Sequence, residues 1–365
     1  WVEIKSIKEA GFSDVYDLEV WPYHNFVASG IVVHNCNAHC SFCAAAFQTG
    51  ERKSIPEERI RLFLEDAAEI GVRGMVTMSD GESTLHPFWA ESIRMGHALG
   101  MDMAAASNGY LITPSVADQV LPHLTYLRIN LSAGEPRRYA EIMGVPEAWF
   151  HRVTDNIRYM VALKRREGLG VTINISMVGH PSLADQFLPF ATLGQELGVD
   201  YAIIKHCLDY RGGPLGVNFS EYKKLSPLLL QAEALSTADY QVVVKWDTMS
   251  KGEKVAPRLC YGPAFLLQLS GTGLLGACGP LFAPRYAQEF HIGNICETRF
   301  RDLWASNRYA EVMAHLRSEH FATHRDCGKY LCVQRHLNEA IDAHLAGHTR
   351  IEVPQGSPPE HVNFI

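Results

Sequence analysis

From residue 54 onward the chain switches repeatedly between two periodicities. Ser54-Ile-Pro-Glu57 reads as a capping box, and Ile60, Phe63, Leu64, Ala67 and Ile70 follow at helical spacing, with Gly71 as a stop. Short apolar runs at 75–79, 103–107, 127–131, 171–178 and 201–205 read as strands. Amphipathic stretches at 87–99, 115–121, 149–166 and 183–197 read as helices between them. Strand–helix alternation predicts a parallel sheet, an α/β fold whose chemistry sits at the carboxyl ends of the strands. Residues 36–210 form this core. Residues 211–259 read as a connector with a helix at 221–235 and a strand at 241–245. A second unit covers 260–345, with a hairpin of 265–269 and 274–277 around 270–273 and a helix at 299–316; residues 346–365 read as an irregular tail. Ahead of the core, residues 1–35 break into short strands at 2–7, 15–20, 25–29 and 31–33, separated by turn residues.

Composition narrows this little. Of 365 residues, 47% are hydrophobic and 20% charged, as in ordinary globular proteins, and the net charge of -7 implies no general attraction to nucleic acid. No apolar run reaches the length of a membrane span and the start has no signal-peptide pattern, so a cytoplasmic setting is expected. Nine cysteines in such a chain suggest metal rather than disulfides.

Three of them stand in Cys36-Asn-Ala-His-Cys40-Ser-Phe-Cys43. Three thiolates on one loop suit a soft iron centre and leave one iron of a four-iron cluster open to a small molecule. A structural zinc loop, with His39 or a distant residue as fourth ligand, fits the same spacing.

This spacing resembles the radical S-adenosylmethionine (SAM) superfamily. After the next strand, Gly81 and Glu82 match the family's Gly-Gly-Glu loop, with Asp80 in place of the first glycine; there a carboxylate meets the cofactor's ammonium. Phe42 matches the aromatic position beside the adenine. Ser107-Asn108-Gly109 resembles the family's Thr-Asn-Gly turn. Ser132 stands where a serine often contacts ribose or carboxylate. The family's Arg-Gly step is Met143-Gly144 here, which leaves Arg138 as a candidate substitute, with Asn174 and Ser176 as further candidates. The resemblance implies a partial (β/α)6 TIM-like barrel, a [4Fe-4S] cluster, SAM, and an external electron donor such as flavodoxin or ferredoxin. It also implies reductive cleavage of SAM to a radical that abstracts a substrate hydrogen atom.

Cys260, Cys278, Cys327 and Cys332 surround an Ile-Gly-Asn segment and Trp304. They resemble the auxiliary-cluster extension of SPASM and twitch enzymes, implying a second [4Fe-4S] cluster in a small α+β domain; zinc is the alternative. Cys296 falls at a variable position and is expected to be a non-ligand, and Cys207 is expected to be a packing residue. Relatives with this extension often modify peptides, implying a peptide or protein substrate. A non-catalytic zinc or iron–sulfur protein is the rival reading.

Residues 15–36, from Val15 through Asp17 and His24 to His34-Asn35-Cys36, resemble the C-terminal blocks of an intein. The resemblance implies that Asn35 cyclises and cuts the chain, that His34 and His24 assist, and that Cys36 is the accepting nucleophile. It further implies an all-β Hint remnant over 1–35, an upstream intein or extein partner, and a barrel whose first strand is missing from this chain.

Overall fold

The computed structural model describes residues 26–28, 31–33, 36–43, 54–78, 81–207, 215–246, 249, 259–321, 332, 334–350 and 363–364. The expected strands at 2–7 and 15–20, and the candidate residues His24, His34, Asn35 and Cys327, lie outside the described residues. Strands β1 (Phe26–Ala28) and β2 (Ile31–Val33) pair antiparallel as a separate two-stranded sheet, Phe26 opposite Val33.

The core is a six-stranded sheet in the order β3 (Gly74–Thr77), β4 (Asp102–Ser107), β5 (Tyr126–Asn130), β6 (Thr172–Gly179), β7 (Tyr201–His206) and β8 (Gln241–Val244), every neighbouring pair parallel. The crossovers carry α1 (Glu57–Glu69) ahead of β3, then α2 (Trp89–Ala98), α3 (Pro114–Val120), α4 (Pro136–Met143), α5 (Ala148–Glu167), α6 (Phe187–Leu197) and α7 (Glu221–Glu233). Alternate strand residues, among them Leu127, Ile129, Ile173, Ile175, Ala202 and Ile204, are buried under these helices. Intervening positions face the inner side of the curved sheet, as period-two alternation requires. This is the α/β parallel sheet that the alternation predicts, and it is consistent with the partial barrel that the resemblance implies.

Several elements differ from the sequence reading. The strand placed in a connector is β8, the sixth member of the sheet, so the core extends past residue 210. Its pattern, exposed–buried–exposed–buried, is that of a half-covered edge strand, which sequence alone does not assign to a partner. Among the described residues no strand pairs with the outer edge of β3, where Val76 is 44% exposed. Ser54 caps nothing: α1 starts behind Pro56, whose fixed φ of -58° and extended ψ place the helix start two residues later. α4 was not anticipated at all. Among the described residues no helix is long and apolar enough to cross a membrane.

The C-terminal unit holds a three-stranded antiparallel sheet, β9 (Gln268–Leu269), β10 (Leu274–Gly276) and β11 (His291–Asn294), with β10 central. The helix expected over 299–316 is two, α8 (Phe300–Trp304) and α9 (Asn307–Leu316). Ser306 divides them, its hydroxyl accepting from the Tyr309 N–H at 3.1 Å as the cap of α9. A last helix, α10 (Arg335–Leu345), follows.

This unit is fastened to α1. Asp66 is fully buried, and the Arg299 guanidinium donates to both its oxygens at 2.9 and 2.5 Å. Arg59 on the same helix donates to the Ile295 carbonyl. Burial alone would raise the Asp66 carboxyl above its usual 3.8, but the Arg299 hydrogen bond, followed by the Arg301 N–H, holds it below. A depressed carboxyl contributes stability above about pH 4 and loses it as pH falls through the lowered folded value. Arg299→Ala is expected to cost about 3 kcal/mol at neutral pH, measured by urea unfolding, because it strands a buried carboxylate. The cost should shrink in acid; a loss under about 0.5 kcal/mol at pH 7 would rule the tie out as a stabilising contact.

Candidate active site

Residues 36–43 sit at the carboxyl end of the sheet, and backbone groups seat them on α4. The His39 N–H donates to the Met143 carbonyl and the Ser41 N–H to the Ile142 carbonyl, both at 2.9 Å, while Cys43 N–H closes a turn onto Cys40 O at 3.1 Å. The two acceptors are the last carbonyls of α4, left open by the helix end. Gly144 caps that helix in the left-handed region, φ 63°. A Cβ there would stand 2.5 Å from the His39 carbonyl oxygen, so the loop seats only against glycine. Gly144→Ala is expected to reduce iron loading of the cysteine loop several-fold, read from iron content after anaerobic reconstitution. Full loading would show that the seat is dispensable.

The three thiols are half-buried and close together. Burial pushes Cys36 up to about 11 and Cys40 higher still, and the neighbouring cysteines and Glu82 add to both shifts. Cys40 Sγ touches the Met143 sulfur at 3.7 Å. Such surroundings disfavour uncompensated thiolates. Among the described residues no group of three His, Cys, Asp or Glu side chains is placed to hold a single metal ion; in a four-iron cluster each thiolate binds a different iron.

Glu82 lies beside this loop, 7% exposed. Its Oε1 accepts from Thr84 N–H, Thr84 Oγ1 and Ser107 Oγ at 3.2, 2.7 and 2.7 Å, and its Oε2 from Asn108 N–H at 2.8 Å. Oε2 keeps room for one more donor. The Asn108 amide donates to Asn37 Oδ1 at 2.6 Å, joining the turn after β4 to the cysteine loop. Gly109, φ 79°, ends that turn, and Asn156 on α5 donates to its carbonyl at 2.9 Å. Structure thus brings together Cys36, Cys40, Cys43, Glu82, Ser107 and Asn108.

Other candidates lie apart or differently. Gly81 precedes Glu82 in a bend, and Phe42 is half-buried against the core. Ser132 is buried at φ 51°, its Oγ accepting from Val178 N–H at 3.3 Å. Arg138 commits its guanidinium to Asp185 at 2.8 and 3.0 Å and to Glu141 at 2.8 Å on the outer surface. Cys207 is buried, its N–H donating to the Tyr222 hydroxyl at 2.9 Å.

In the C-terminal unit burial raises the thiols of Cys260, to about 11, and Cys278, to about 12; Cys332 adds to both and Cys260 adds to Cys278. Asn338, fully buried on α10, organises them. Its Oδ1 accepts from Tyr261 and Gly262 N–H at 2.7 and 3.0 Å, and its amide nitrogen lies 3.8 Å from Cys260 Sγ and 3.9 Å from Cys332 Sγ. Cys296 Sγ instead points to the Thr272 carbonyl at 3.8 Å.

A parallel βα sheet, a three-cysteine loop at its carboxyl end and a buried glutamate hydrogen-bonded beside that loop form one site. Residues 31–188 match the Radical SAM superfamily. An AdoMet-dependent heme synthase of Methanosarcina barkeri (strain Fusaro / DSM 804) is 23% identical over 303 residues, covering 77% of this chain and 82% of that protein. Streptococcus suis SuiB, solved bound to S-adenosylmethionine, superposes with a TM-score of 0.58 at 16% identity over 76% of this chain; the alignment spans only 65% of SuiB. SuiB is also known bound to the precursor peptide SuiA. The anSMEcpe enzyme with bound AdoMet gives a TM-score of 0.57 at 14% identity, covering 86% of this chain and 94% of that one.

Proposed function

We propose that this chain is a radical SAM enzyme acting on a peptide or protein, with Cys36, Cys40 and Cys43 as ligands of a [4Fe-4S] cluster. The observation that carries the reading is the single hydrogen-bonded unit of cysteine loop, Asn37, Asn108 and Glu82. When bound, the cluster and SAM supply a carbon-centred radical on reduction by a flavodoxin- or ferredoxin-type donor. This chain's residues do the positioning. Glu82 Oε2 takes the methionine ammonium, Ser107 and Thr84 fix that carboxylate's orientation, and Gly81 lets the cofactor approach the backbone. Phe42 lies along the adenine and Ser132 serves the ribose. Cys260, Cys278, Cys327 and Cys332 hold an auxiliary cluster of the twitch type, which Asn338 supports from α10. SuiB's peptide partner supports the peptide class, on likeness of fold.

The test is anaerobic reconstitution followed by assay of 5′-deoxyadenosine with candidate peptides. About two four-iron clusters and SAM cleavage are expected. Zinc uptake with no cleavage under any condition would overturn the reading.

Residues 1–35 are, on the same proposal, the C-terminal segment of an intein, with Asn35–Cys36 as the splice junction and His34 and His24 assisting. The order of those residues supports it. Mass spectrometry after adding a complementary intein N-half should show loss of the segment, and Asn35→Ala should prevent it; an intact wild-type chain would exclude splicing.

A further inference from the structure

The inner face of the sheet carries positive charge that nothing in the described chain answers. Arg128 on β5 and Lys205 on β7 alternate with the helix-covered Leu127, Ile129 and Ile204, and Lys245 follows the buried Val244 of β8. By alternation all three face inward. Among the described residues none makes an ion pair. Arg128 reaches only the Met78 sulfur, at 3.1 Å, and its Nε is buried without a partner.

A second observation marks the same spot. Asn130 Oδ1, Asn174 Oδ1 and Ser176 Oγ are buried with no hydrogen-bond partner, and Asn174 and Ser176 are 0% exposed. The strand register sets Arg128 beside Asn174 and Asn130 beside Ser176. Buried polar atoms are nearly always paired, and clustered cations are costly unless an anion joins them. Glu82 hydrogen-bonds Thr84, Ser107 and Asn108 and makes no ion pair with these cations.

We propose that Arg128, Lys205 and Lys245 form an anion subsite for a carboxylate of the substrate, with Asn130, Asn174 and Ser176 hydrogen-bonding the N–H or O–H groups beside it. This deepens the enzyme reading above and rests on it. Burial, with Arg128 and then Lys245, brings Lys205 down to about 7; the Tyr126–Tyr201 stack lies on the same face by alternation. A bound carboxylate would restore its positive charge.

The test is calorimetric titration of the cluster-loaded full chain at pH 7, with and without SAM. The probes are N-acetylglutamate, a free acid, and a terminally blocked Glu-Gly-Glu tripeptide. At least one should bind, Lys205→Gln should weaken it about tenfold, and Lys205→Arg should recover most of that. SAM affinity should move less than about twofold. Preference for the tripeptide assigns a peptide carboxylate; equal binding assigns any free acid. Unchanged binding in both Lys205→Gln and Arg128→Gln would overturn the subsite, as would competition by SAM with equal loss of SAM affinity, which gives the cations to the cofactor. A chain that takes up neither cluster nor SAM, yet binds the probes through Lys205, would sink the enzyme reading and leave the subsite standing.

Discussion

Replacing Cys40 by alanine is expected to abolish cluster assembly at the first cysteine loop and reduce SAM cleavage by roughly a thousandfold or more, about 4 kcal/mol in barrier terms. Cys40 is the middle thiol, and burial together with Cys43 and Cys36 makes its pocket hostile to any charge not met by metal. The fold itself should survive, since loop docking runs through the backbone groups of His39 and Ser41. Iron content and 5′-deoxyadenosine yield are the readouts, with the thermal midpoint as control. Cleavage at wild-type rate would remove this loop from the chemistry.

Glu82→Gln should weaken SAM binding by about 10- to 100-fold, because it exchanges a carboxylate for a neutral amide opposite an ammonium. The change is sterically small: with the amide oxygen at the Oε1 position Ser107 and Thr84 keep their acceptor, and only the Asn108 N–H, which donates to Oε2, loses its own. Glu82→Ala should go further and cost about 1–3 kcal/mol of stability, since it strands those buried donors. Equilibrium dialysis with SAM and urea unfolding separate the two effects. If both variants bind SAM like the wild type, Glu82 is a turn residue only.

What was legible in the sequence is what the chain writes contiguously. The cysteine loop, the Gly81–Glu82 turn and the Ser107-Asn108-Gly109 turn each lie within a few residues, and strand–helix alternation orders them. The residues that join these pieces are remote: Asn37 meets Asn108 across 71 positions, and Asn156 meets Gly109 across 47. α4 escaped notice because its buried positions, Tyr139, Ile142 and Met143, are few and Arg137 and Arg138 interrupt them. Pro136 and Gly144, the start and stop residues of a helix, were the available signs. Arg138 looked free in sequence because Asp185, which holds it, is on another element. The strand expected at 241–245 falls in a connector by sequence because only its pairing with β7 makes it part of the sheet.

The tie between Asp66 and Arg299 has a consequence in time. The two residues are 233 positions apart. At about 5–20 residues per second of synthesis, Arg299 emerges on the order of tens of seconds after Asp66. Through that interval the carboxylate has no counter-ion to accompany it out of water, so α1 docks late and closure of such a long loop sets the order of events. Folding of the first third of the chain is therefore completed by its last fifth.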